Sequence, residues 1–274
     1  MHKPHSPQRY INLFREAKKI KALVDLGSLH AAVLGSLNGP AEYTQGVVLT
    51  GEVFRFVRID PDLPWFNTET SDTASEDDLS ELKIPAHLLP NLQRIEFAFR
   101  PDKHQLWFVS HDRNDRMGPQ ALESFFQALF DRVYLVGKAS EVEVTALPDA
   151  ESLEHMLSIA TLDKLTIQIK RPNADDFDKL EERILKKLES QNARRQETVL
   201  IAKSGETIKP DADTLALASV AAKNGSVSVV GKDASGMRVE ESTQKRPMQI
   251  SASVDSDVET SLDVLKRTMF MYNC

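Results

Sequence analysis

Cysteine is almost absent: the 274-residue chain has one, Cys274. An internal disulfide framework is therefore excluded, and so is a zinc site built on several thiolates. Aromatic residues reach only 7%, and eleven glycines and thirteen prolines are too few for a collagen-like or low-complexity protein. Basic residues are outnumbered, 34 Lys and Arg against 41 Asp and Glu, for a net charge of −7. That balance excludes a globally basic nucleic-acid coat while leaving room for a local basic patch. No apolar run reaches the roughly 18 residues a membrane helix needs, so no membrane partner is expected. Residues 1–8 are polar and lack the apolar core of a secretory signal, so the expected location is cytoplasmic. A single cysteine agrees with a reducing compartment.

What remains is an ordinary globular composition, 41% hydrophobic and 27% charged, in a chain of 30.7 kDa. The length fits one large domain or two small ones. Residues 9–23 read as an amphipathic helix, with Tyr10, Leu13, Phe14, Ala17 and Ile20 at helical spacing and Arg15, Lys18, Lys19 and Lys21 beside them. Residues 29–37 read as a strand ending at the turn Asn38-Gly39-Pro40, and residues 46–60 as a second strand with Arg55 and Arg58 exposed among aromatics. Residues 67–78 are acidic and without apolar period, and are expected to form a mobile loop or a short disordered segment. Strands 95–99 and 106–110 flank a turn containing Pro101 and Asp102, which predicts a hairpin. Gly118-Pro119 opens a helix with a Leu122, Phe125, Phe126, Leu129 and Phe130 stripe.

The second half alternates more regularly. It predicts a strand at 142–147, a helix at 148–160, a strand at 165–170, a helix from the 172–176 cap to 192, and a strand at 198–202. A helix at 211–224, ended at Asn224-Gly225, is followed by paired strands at 226–230 and 237–241, a strand at 249–254 and a last helix at 257–271. The expected class is α+β: mixed sheets with packed helices, including a β-α-β-α-β unit of ferredoxin-like or short α/β type. A boundary near Gly137 divides an N-terminal region, 1–136, with its hairpin and acidic loop, from a C-terminal region, 137–274.

Chemistry is sparse. There is no phosphate-binding glycine motif, and residues 231–236 precede a strand where a helix N-terminus would be needed. The seven histidines are scattered without metal-ligand spacing. Only His104 and His111, with Asp102, Asp112 and Asp115 nearby, lie close enough to consider, and they read as surface residues. No nucleophile elbow occurs, and Cys274 sits at the terminus. Asp175, Asp176 and Asp178 read as a helix start, where acids meet the positive end of the dipole. No metal and no cofactor is expected, and no catalytic residue is assigned.

Three basic clusters remain. One is Arg15, Lys18, Lys19 and Lys21. A second is Arg94, Arg100, Lys103, His104, Arg113 and Arg116, around the hairpin and beside Phe97, Phe99, Trp107 and Phe108. The third is Arg183, Lys186, Lys187, Arg194 and Arg195, mixed with Glu181, Glu182 and Glu189. The second combines phosphate-binding cations with aromatics suited to base stacking. Arg100, Lys103, Arg113 and Arg116 are therefore the candidate nucleic-acid contacts.

The segments GEVFRFVRID with Trp65 after it, KIPAHLLPN and LTIQIKRPNADD resemble a family of bacterial proteins of about this length that share a conserved domain of unknown function. The order of the GPQALESFFQALF helix, the VEVTAL strand, the EHML helix, the LTIQIK strand and a C-terminal helix is similar to RexA, the lambda phage-exclusion proteins. That resemblance implies a cytoplasmic, two-part, dimeric DNA-binding protein acting in phage exclusion. The expectation is a non-enzymatic protein that binds DNA or RNA, with a homodimer as its assembly. The alternatives are a nuclease-like toxin, or a protein-binding partner of a neighbouring effector.

Overall fold

A computed structural model describes residues 6–59, 63–80, 85, 87–110, 117–139, 142–170 and 179–272. Along the chain the elements are α1 (Pro7–Ile20), β1 (Val24–Leu26), β2 (His30–Tyr43), β3 (Gly46–Val57), β4 (Phe66–Asn67), β5 (Asp72–Thr73), α2 (Glu76–Ser80), β6 (Gln93–Arg100), β7 (Gln105–Phe108) and α3 (Pro119–Leu135). There follow α4 (Ala150–Leu157), β8 (Thr161–Lys170), α5 (Lys179–Ser190), β9 (Arg195–Ile201), α6 (Ala212–Lys223), β10 (Gly225–Lys232), β11 (Arg238–Ser242) and α7 (Ser261–Met271), with a 3-10 turn at Thr243–Lys245. The class is α+β. Two compact units result: Pro7–Val142 with Val254–Cys274, and Glu143–Ser253 with Met1–Ser6.

The first unit is built on a five-stranded antiparallel sheet in the order β1-β2-β3-β6-β7. Strand alternation sends Leu49, Phe97 and Phe99 to one face and Val48 and Ala98 to the other. On the first face α1 and α3 bury Tyr10, Ile11, Leu13, Phe14, Phe126, Leu129 and Phe130. On the second face Val48 and Ala98 join Leu265 and Met269 of α7, with Trp107, Val109, Leu262 and Phe270 around them. The C-terminal helix thus completes the core of the N-terminal unit. β2 runs on through Asn38-Gly39-Pro40, where the sequence suggests a turn, because register shifts between Leu34 and Ser36 and between Asn38 and Ala41 absorb the irregularity. The acidic segment is more ordered than its composition implies. β4 and β5 pair across it, and Asp78 caps α2 by accepting from the Ser75 N–H at 2.8 Å.

Helix α7 begins with a reciprocal cap. The Asp263 N–H donates to Thr260 Oγ1 at 3.2 Å, and the Thr260 N–H donates to Asp263 Oδ2 at 3.2 Å. The Lys266 ammonium bonded to Asp263 at 2.8 Å, then the Thr260 hydroxyl and N–H, hold this carboxyl down at about 2, from an ordinary value of 3.8. Because the folded value is depressed, the carboxylate's contribution is complete above about pH 4 and disappears as the pH falls through about 2. Thr260→Ala is expected to cost about 1 kcal/mol at neutral pH. Thermal melts from pH 7 down to pH 2 should show the wild-type advantage over Thr260→Ala shrinking in that acid window. An advantage that stays constant down to pH 2 would exclude the carboxylate's part in the cap.

The second unit is a four-stranded antiparallel sheet in the order β11-β10-β8-β9. Leu165, Ile167 and Ile169 point together into a core with Met156, Ile184, Leu188, Ala218, Ala221, Val227 and Val229. The β-α-β-α-β succession is present as β8-α5-β9-α6-β10, two elements later than the sequence suggests. Residues 142–147 form no strand, and neither do 249–254. Beside them Pro148 and Pro247 form an isolated bridge with one main-chain hydrogen bond on each side, and proline cannot donate to a ladder. α6 ends at Asn224, and Gly225 is the first residue of β10, not a left-handed cap. A Cβ there would overlap the Gln168 carbonyl, and one on Gly231 would overlap that of Thr161. Both glycines are needed for the close approach of β10 to β8.

Candidate nucleic-acid interface

The hairpin predicted around Pro101 and Asp102 forms, with Phe97 opposite Phe108 and Arg100 opposite Gln105. The turn closes with the Lys103 N–H donating to the Arg100 carbonyl at 3.3 Å. The four sequence-chosen cations do not share one environment. Arg100 falls on the same sheet face as Ala98 and is 4% exposed, beneath α7. Its guanidinium lies 5.3 Å from the Phe270 ring centroid, pairs with Asp102 Oδ2 at 3.2 Å and donates to the Gln45 carbonyl at 3.4 Å. It supports the turn from below and is not among the outward cations. Lys103 is exposed at the turn. Arg113 and Arg116 lie outside the described residues, in the segment that begins three residues after β7.

His104 is turned inward. It adopts a left-handed backbone, φ 54°, and its ring centroid is 4.4 Å from that of Tyr10 on α1. His111, Asp112 and Asp115 lie outside the described residues, as do Asp175, Asp176, Asp178 and Cys274. Among the described residues, no group of three or more His, Cys, Asp or Glu side chains is arranged to hold a metal ion.

The aromatics beside the hairpin are largely structural. Phe97 and Phe99 are buried against Phe14, with ring centroids 5.8 and 4.7 Å away. Trp107 packs into the α7 cluster and lies 6.4 Å from Tyr272. Several cations of the three clusters are already engaged within the protein. Lys18 donates to the Leu34 and Gly35 carbonyls, and Lys19 pairs with Glu16 at 2.6 Å. Arg94 stands at the far end of β6, 3.8 Å from Glu52 and over the Phe54 ring. Lys186 pairs with Glu182 at 2.7 Å, and that hydrogen bond raises its pKa.

The structure also assembles a cleft that the sequence does not announce. A space of 330 Å³ is lined by Asp25, Leu26 and Gly27, by Arg55, and by Gln120, Ala121 and Ser124 of α3. Arg55 is not exposed as the strand pattern suggests: it is 7% exposed and donates to Gln93 Oε1 at 2.7 Å, while Asp25 accepts from Arg58 at 2.6 Å. The one sequence signal was a lone arginine on an otherwise apolar strand, in the run Val53 to Val57. Asp25 is thus ion-paired with Arg58, while the Arg55 guanidinium is bonded to the neutral amide oxygen of Gln93.

No helix of the described residues is long and apolar enough to cross a membrane. No curated protein matches the chain. A model of a domain of unknown function, DUF4747, matches residues 1–269, nearly the whole sequence with its paired strands, its buried Arg100 and its returning C-terminal helix, and the chain belongs to that family.

Proposed function

We propose that this protein is a non-enzymatic, cytoplasmic interaction protein that binds DNA or RNA through the β6–β7 turn and the segment after it. Lys103, Arg113 and Arg116 make the contacts, and Arg100 holds the turn. The supporting observation is the Arg100–Asp102 pair. The carboxylate of the turn is held from beneath by a buried guanidinium, which fixes the turn that carries the exposed Lys103. A cation on a tight turn reaches a phosphate without being desolvated inside the protein. The setting proposed is phage defence, on the resemblance in element order to the phage-exclusion proteins, of which the VEVTAL strand does not form. The second reading is a protein-binding partner of a neighbouring effector.

The test is a titration of a labelled duplex and a labelled single strand at two salt concentrations. Lys103→Glu should weaken binding alike across sequences and reduce the log–log salt slope by about one, the share of one phosphate contact. Reversing Arg113 and Arg116 together should remove about two more. If the wild type binds neither probe at micromolar concentration and low salt, the nucleic-acid reading fails and the protein-partner reading replaces it. Metal-dependent cleavage of either probe would instead identify a nuclease.

A further inference from the structure

The two edges of the C-terminal sheet are not alike. β11 is five residues long and keeps Arg238 and Glu240 exposed, the usual defence of an edge against pairing with another chain. β9 is seven residues long, and among the described residues no strand lies beyond it. Arg195 and Glu197 guard its first half. Its second half presents Val199, 43% exposed, and Ile201, 75% exposed.

The backbone of this half is oriented for pairing. The Ala202 N–H donates to the Asp163 carbonyl, opposite it in the register set by Lys164 and Ile201. In an antiparallel ladder, alternate residues bond to alternate sides. Gln196, Thr198, Leu200 and Ala202 therefore face β8, and Arg195, Glu197, Val199 and Ile201 direct their N–H and C=O groups outward. The same odd-numbered residues have the exposed side chains, along with Lys203 just past the strand.

The geometry points to a second copy of this chain as the occupant, with β9 pairing antiparallel to itself about a two-fold axis at Leu200. In that register Val199 faces Ile201 of the second copy, and Ile201 faces its Val199. Glu197 faces Lys203 of the second copy, and Lys203 faces its Glu197. Apolar meets apolar and each charge meets its opposite, and both count in favour of a cross-strand pair. Neighbouring registers lose this match. An axis at Val199 sets Glu197 against Ile201 and Arg195 against Lys203. An axis at Thr198 sets Val199 against Glu197 and Ile201 against Arg195. An axis at Gln196 joins Arg195 to Glu197 but leaves Ile201 without an apolar partner. The product of the Leu200 register is a continuous eight-stranded antiparallel sheet, the strand-addition mode of recognition applied to a homodimer. The inference is independent of nucleic-acid binding: a dimer that binds no nucleic acid leaves it standing.

Sedimentation velocity of the full chain between about 1 and 100 μM, the span in which a modest strand-pairing interface would dissociate, measures it. The wild type should reach the dimer. Ile201→Lys, at an exposed position, should give a monomer with an unchanged circular dichroism spectrum. Glu197→Lys and Lys203→Glu each set like charges opposite at both ends of the pairing, and should each weaken the dimer about tenfold. The double variant Glu197→Lys/Lys203→Glu restores opposite charges and should return to within about twofold of wild type. A wild type that stays monomeric overturns the proposal, as does a dimer indifferent to Ile201→Lys. Failure of the double variant to recover overturns the register. Protection of the β9 amides from hydrogen exchange only when a different protein is added would assign the edge to that protein and likewise overturn self-pairing.

Discussion

Ile167→Asp is expected to unfold the C-terminal sheet. Ile167 sits at the middle of β8, the strand with partners on both sides, between Val227 of β10 and Thr198 of β9. Its side chain is 1% exposed and shares the core with Leu165, Ile169, Ile184, Leu188 and Val227. An aspartate there loses the apolar burial and places an ionised carboxylate where none of those neighbours can bond it. The combined cost is about 4 kcal/mol or more, a large share of the stability of a unit this size. Urea denaturation with hydrogen exchange measures it. Amides of Thr161–Lys170 and Gly225–Lys232 should lose protection in the variant. The conservative change Ile167→Val should cost about 1 kcal/mol. A fully protected, equally stable Ile167→Asp variant would contradict the inward face of β8.

The second large effect is expected at Phe14. Its ring is 1% exposed and is the hub of the aromatic core between α1, α3 and the five-stranded sheet. Ring centroids of Phe99, Phe130, Phe97 and Phe126 lie 4.7, 5.2, 5.8 and 6.0 Å away. Phe14→Ala removes the transfer energy of a buried ring, leaves a cavity, and ends several ring–ring contacts. The expected loss is about 3–5 kcal/mol. Phe14→Leu keeps most of the volume and should lose less than half of that. The urea midpoint of each variant decides it. A Phe14→Ala loss below about 1 kcal/mol would mean that α1 is not held by this contact.

The candidate site was only partly legible. The hairpin was, because Pro101 and Asp102 between two apolar alternations specify a turn whatever lies around it. Lys103 at its tip follows from the turn alone. The burial of Arg100 does not. Its position on the strand sets its face, but which face is covered depends on α7, more than 160 residues away in the chain. The same alternation that buries Phe97 and Phe99 against α1 puts Ala98 and Arg100 beneath Phe270. His104 is similar: its left-handed backbone and contact with Tyr10 come from the meeting of the turn and α1. The cleft beside Arg55 joins residues from β1, β3 and α3, and only the folded sheet assembles it.

The sequence by itself determined the α+β class, the helices α1, α3 and α7, and the inward face of β8. Each of these rests on periodicity within one segment, and a period of 3.6 or 2 records which side must leave water. Family membership was likewise carried by local runs of residues. Tertiary structure alone decided that residues 142–147 and 249–254 stay outside the sheets, since apolar alternation promises a strand only where a partner edge is available and proline withholds donors. It decided that Gly225 opens a strand at close quarters with Gln168, where the local dipeptide resembled a helix cap. It also decided that the last helix belongs to the first unit. An amphipathic stripe states that a helix must bury one face, and the surface that accepts that face depends on which uncovered sheet the rest of the chain has left for it.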